Sequence, residues 1–287
     1  MPTGYAPMFS LAGTILVGGL LLALVAGVVR GPRVARNLRA ALARPVRDPA
    51  FLPRIYRRAI FSGVVLAGLA LAAVGFSPGV GWADIGFRTP NDRGGGLAAG
   101  LLGILVFMVV YGRWQGRRRE PRVIAADKAT PGLAMLPQTP RERRLAVVIA
   151  FVAGIGEEIV FRGVLTAAAV DLLGLPFVAA LGLSLLLFAA GHLYQGRAAL
   201  IGSGLIGFIF AGLYGLSGNL LFPIVAHIVF DLVALLMPVP FSIVPPGSGP
   251  PEPAAATPPD ALPVPPSSPP TPGPVLVRPP EPSTEDY

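Results

Sequence analysis

The chain's only two histidines, His192 and His227, and a small set of carboxylates lie in stretches that are otherwise apolar. Glu157, Glu158, Arg162, His192, His227 and Asp231 fall in four consecutive apolar segments, whereas the first three such segments carry nothing comparable at their centres. An ionisable side chain in a bilayer core costs about 2.5–3.5 kcal/mol on insertion scales, so residues of this kind mark function by default. Two imidazoles with carboxylates are the ligand types of a hydrolytic metal site with an open position. They are equally suited to holding a water directly, with Glu157 as general base and the histidines binding a developing oxyanion. Either arrangement hydrolyses with water and forms no covalent intermediate. The chain has no cysteine, which removes thiol nucleophiles and thiolate-held metals. It also lacks the HExxH, GxGD and GxSG signatures; Gly202-Ser203-Gly204 has no leading glycine.

Spacing arranges these groups. Glu158 and Arg162 are four residues apart with Glu on the N-terminal side, so they share a helix face in the favourable order for an ion pair. That pair can neutralise itself and serves structure before catalysis. Glu157 points about 100° away and is the carboxylate left over for chemistry. His227 and Asp231 are again four apart and share a face. His192 follows Ala189, Ala190 and Gly191, small residues that let another helix approach closely. At about 1.5 Å per residue, Glu157 and His227 both reach the middle of a bilayer, and His192 comes out nearer the cytoplasmic side. Asp171, near the outer end of its helix, is expected to be solvated.

The elements that must position them are membrane spans of roughly 20 apolar residues. They are expected at about 9–29, 59–80, 94–112, from 145 onward with an interruption at Glu157, Glu158 and Arg162, at about 176–194, 198–216 and 220–237. The fold class is therefore all-α, a polytopic transmembrane bundle of about seven spanning helices. Composition agrees: of 287 residues 53% are hydrophobic and 13% charged, about half the charged share of a soluble domain. The first span lacks a basic start and is followed by arginines, so it reads as a retained helix.

The net charge of +8 is concentrated in two loops, from Arg30 to Arg58 and from Arg113 to Arg144. The positive-inside rule makes both cytoplasmic, with the N-terminus outside and the C-terminal tail inside. The charge then serves topology and contact with anionic headgroups of the lipid bilayer, and no nucleic-acid partner is expected. Lys128 is the only lysine among many arginines, a composition typical of high-GC bacteria, so a bacterial cell membrane is the expected location. Residues 238–287 hold more than half of the 33 prolines and read as a disordered, partly polyproline-like tail; the PxxP match at Pro266-Ser267-Ser268-Pro269 is nearly free in such a composition.

Glu157-Glu158-Ile159-Val160-Phe161-Arg162 fits EExxxR, Phe188 to His192 fits FxxxH, and His227 to Asp231 fits HxxxN/D. In this order, on apolar helices over about residues 140–237, the chain resembles the CPBP family (CAAX protease and bacteriocin-processing, also called Abi), which includes the type II CAAX prenyl endopeptidases. The resemblance implies a helical membrane endopeptidase with its site in a cavity within the membrane, acting on a peptide or membrane-tethered protein. Glu157 would activate water, His192, His227 and Asp231 would hold water or metal, Glu158 with Arg162 would position the first motif's helix, and Phe188 would pack the second. Asp231 stands where Asn is frequent. That second carboxylate favours a divalent metal such as zinc, whose ligands would be Glu157, His192, His227 and Asp231. The domains expected are 1–140 with three helices, a catalytic four-helix core over 141–237, and the tail over 238–287. Two rival readings use the same polar cluster: a non-catalytic scaffold or bacteriocin-immunity protein, and a proton-coupled transporter, against which the absence of an internal repeat counts.

Overall fold

The computed structural model describes residues 5–44, 48–90, 92–120, 122–125, 129–238 and 240–244. Apart from turns and one strand pair these residues are helical. α1 is Leu11–Leu42, α2 Phe51–Gly75 and α3 Asp92–Gly116. α4, Pro140–Glu158, passes through a π-helical stretch, Ile159–Leu165, into α5, Thr166–Leu173. α6 is Phe177–Gly191, α7 Arg197–Ser217 and α8 Leu221–Leu236. With α4, the π stretch and α5 taken as one rod, this is the expected succession of seven helical segments. Among the described residues five helical stretches are long and apolar enough to cross a membrane: α1, α2, α3, Phe177–Gln195 and Ala199–Ser217. The α4–α5 rod and the shorter apolar α8 pack among them. Leu22, Val25 and Val29 of α1, Phe61 and Val64 of α2, and Ile104, Phe107 and Met108 of α3 are all exposed. Rows of exposed apolar side chains on hydrogen-bonded helices are the surface that a bilayer solvates.

The boundaries depart from the sequence expectation where capping and tertiary contact override hydropathy. α1 continues past Val29 to Leu42 through Pro32. Arginine is a good helix former, and the extension is not idle: Gly31 lies against Tyr194 and Leu38 is fully buried. α2 begins at Phe51 and ends at Gly75, so it is shifted towards the N-terminus relative to 59–80. Asp48 organises that start by accepting the Ala50 N–H at 2.9 Å and pairing with Arg54. The Ala50 amide and then Arg54 hold its carboxyl below the usual range. α4 starts at Pro140 because Thr139 and Glu142 form a reciprocal capping box ahead of it.

Two local features stand beside the all-helical fold, which the structure bears out. Arg122–Ala125 (β1) and Phe241–Val244 (β2) pair in parallel, so the segment expected to open a disordered tail begins instead with a strand. From 245 on, the tail lies outside the described residues. The charged residues Glu157, Glu158 and Arg162 interrupt the apolar run but not the helix, which widens after Glu158 into the π stretch. The Phe161 carbonyl within it accepts hydrogen bonds from the hydroxyls of Thr166 and Ser184, all three residues being buried. A π stretch displaces the side chains that follow it relative to an α-helix.

The core around this stretch joins Val160, Val164 and Ala167 to Ala70 and Ala73 of α2 and to Val17 and Leu20 of α1. α4 and α8 meet closely at Gly154. A Cβ there would stand 2.5 Å from Ile228 Cγ1 and 2.9 Å from the Ile228 backbone nitrogen, so only glycine allows this approach.

Candidate active site

Glu158, the last residue of α4, is fully buried. Its Oε1 accepts from Arg162 Nη1 at 2.9 Å and lies 2.7 Å from His227 Nδ1 on α8. The i, i+4 pair with Arg162 is as spacing predicts. The same oxygen also meets His227, a third partner that spacing along one helix does not disclose. Arg162 in turn donates from Nη2 to the Gly207 carbonyl of α7 at 3.0 Å, and its guanidinium carbon lies 4.3 Å from the Phe188 ring centre. One buried cation thus ties α4, α6 and α7 together, and the carboxylate beside it reaches α8.

Glu157, one residue earlier, faces the other way into a cavity of about 660 Å³, whose wall also carries His192, His227 and Asp231. The four residues that spacing and hydropathy single out are therefore on one cavity. Glu158 and Arg162 sit behind it. Glu157 Oε2 is buried and has no hydrogen-bond partner among the described residues. A buried polar atom in that condition is a place for a water.

The two imidazoles are held in the same way from different directions. His192 caps the end of α6, with Nδ1 2.9 Å from the Phe188 carbonyl. A carbonyl only accepts, so Nδ1 carries the hydrogen and Nε2 has no hydrogen bond among the described residues. His227 likewise has Nδ1 committed to Glu158, and its Nε2 stands 3.8 Å from Asp231 Oδ2. That separation is too long for a hydrogen bond; Asp231 faces the ring without binding it. Phe188 packs against both imidazoles: its ring centre is 4.7 Å from His192 and 6.0 Å from His227. Phe210 covers the His227 ring at 5.0 Å.

Asp171 is not simply solvated. Its Oδ2 accepts the Phe9 backbone N–H at 2.7 Å, which fastens the segment before α1 to the end of the α4–α5 rod. Sequence reasoning also missed Phe210, the Gly207 carbonyl and the role of Glu158 as a ligand of His227. No local periodicity carries that information, because the partners are 45 and 69 residues apart.

Carboxylate and imidazole are suitable donors for a divalent cation. Yet among the described residues no three of His, Asp and Glu stand together in a way that could hold one.

A helical integral membrane protein with acids and imidazoles on a cavity among its spans is the class defined by this fold and site. Residues 141–233 match the family model described as Rce1-like, type II CAAX prenyl endopeptidase, which is of the CPBP family. The family implies a protease acting in the membrane. All six site residues lie in the matched segment. No curated protein and no solved structure matches the chain.

Proposed function

We propose that the protein is an intramembrane endopeptidase that hydrolyses a short or membrane-tethered peptide with a water activated by Glu157. The observation that carries this reading is the unpartnered Glu157 Oε2 on a cavity shared with His192 and His227, each with its Nδ1 already committed.

In this reading Glu157 takes a proton from water while the free Nε2 of His192 accepts the other water O–H and aims the oxygen at the scissile carbonyl. His227, when protonated, donates from Nε2 to the developing oxyanion, its ring oriented by Glu158 and its charge offset by Asp231 nearby. Collapse of the tetrahedral intermediate breaks the C–N bond, and the proton held by Glu157 passes to the departing amine. Glu158 and Arg162 are positioning residues that hold His227 and the α4–α8 contact. In the same reading the arginine-rich loops are cytoplasmic by the positive-inside rule, with the N-terminus outside and the tail inside.

The reading is tested by incubating the reconstituted full chain with a library of short and single-span peptides in oxygen-18 water. New termini are expected, with one water-derived oxygen in each new carboxyl group and no acyl-enzyme mass. Failure to cleave any member, or accumulation of an acyl-enzyme, overturns it.

A further inference from the structure

The cavity wall has one feature that the hydrolytic step leaves unused. Among the described residues, and besides the acids Glu157 and Asp231, the only lining side chain with a fixed charge is Arg113, which lies in the last turn of α3 and outside the family match. Arg113 is half-buried, and its guanidinium has no hydrogen bond or ion pair among the described residues. Its neighbour Arg118 is already committed, stacked over Trp114 at 3.7 Å. At the same wall the strand residue Ile124 and the prolines Pro238 and Pro240, which follow α8, add no charge. The cavity is therefore polarised, with two carboxylates among the reacting groups and an unspent guanidinium elsewhere on the wall. An anion entering it is repelled by Glu157 and Asp231 and drawn to Arg113. A planar guanidinium binds a carboxylate by two parallel hydrogen bonds, and that geometry fixes direction as well as energy.

Granted the endopeptidase reading, on which this step rests, we propose that Arg113 is a specificity residue that holds a carboxylate of the peptide substrate. The peptide is thereby oriented with its anionic end on α3 and its scissile bond at Glu157. The carboxylate has two sources, a free C-terminus or an Asp or Glu side chain.

The test uses the full chain in zwitterionic vesicles and a cleaved peptide in matched forms: free acid against C-terminal amide, and each Asp or Glu against Asn or Gln. Arg113→Gln is expected to raise KM about tenfold or more for the carboxylate-bearing peptide, with kcat held within about twofold. Arg113→Lys recovers part of the loss. The peptide form that lacks the recognised carboxylate has a raised KM with the unsubstituted chain and suffers no further loss with Arg113→Gln, and this identifies the source. Equal KM for every peptide form, or equal KM with and without Arg113, overturns the proposal. If the unsubstituted chain cleaves nothing, the endopeptidase reading fails by itself. Binding of the same labelled peptides then still decides on Arg113: a Kd that depends on both Arg113 and the carboxylate supports it, and a Kd indifferent to either overturns it.

Discussion

His227 Nδ1 lies 2.7 Å from Glu158 Oε1, although the two residues are 69 positions apart. Because the same oxygen accepts from Arg162 at 2.9 Å, one carboxylate sets both the anchorage of α4 and the orientation of an imidazole on α8. Glu158→Gln removes the counter-charge bonded to the buried Arg162 guanidinium. Removing one partner of a buried ion pair costs about 3–5 kcal/mol, so thermal unfolding in detergent should show a large loss of stability. The double variant Glu158→Gln with Arg162→Met should be more stable than Glu158→Gln alone. If the double variant is the less stable of the two, Glu158 does not act through Arg162.

The close approach of α4 and α8 sets the distance between Glu157 and His227. Gly154→Ala would place a Cβ 2.9 Å from the Ile228 backbone nitrogen, and backbone cannot step aside without moving α8. A displacement of about 1 Å at a reacting group can cost about 10²-fold in rate, and a loss of that size in kcat is expected. Gly212→Ala on α7, where a Cβ meets nothing within 4 Å, is the control and should leave turnover unchanged. Equal turnover for both variants would separate helix spacing from catalysis.

The π stretch leaves the Phe161 carbonyl to the hydroxyls of Thr166 and Ser184. Ser184→Ala removes one donor from a buried acceptor, at a cost of about 1–3 kcal/mol. Thermal melts should show it, and a variant that melts with the parent would mean that the hydroxyl contributes nothing there.

Chelation addresses the choice between metal and water. No three of the described acids and imidazoles stand in a metal-holding arrangement, so the chain dialysed against chelator should keep its turnover and contain less than stoichiometric metal. Loss of activity restored by zinc would show instead that the site gathers a third ligand on binding.

What the sequence discloses and withholds follows from the range of the forces involved. Glu158 with Arg162, and His227 with Asp231, are local pairs, and helical spacing alone puts each on one face. Placement of Glu157, His192, His227 and Asp231 on one cavity was legible from the cost of burying such groups in a bilayer. The contact of Glu158 with His227 and the tie of Arg162 to Gly207 were not, because they depend on how helices cross. Hydropathy also ended α1 too soon at Val29. It measures where lipid stops, whereas arginines continue a helix into water and Leu38 finds a buried place there. Asp231 illustrates the same limit: spacing puts it beside His227, but only coordinates show that 3.8 Å separates them.

The central claim is that Glu157 activates the attacking water. Its most direct test is the kcat of Glu157→Gln against the unsubstituted chain on a cleaved peptide, with KM and melting temperature measured alongside. The amide keeps the shape of the side chain but cannot take a proton. General-base catalysis contributes about 10²–10⁴-fold, so kcat should fall by that factor while KM and the melt stay within about twofold of the parent. A folded Glu157→Gln protein that turns over at the parent's rate would contradict the account.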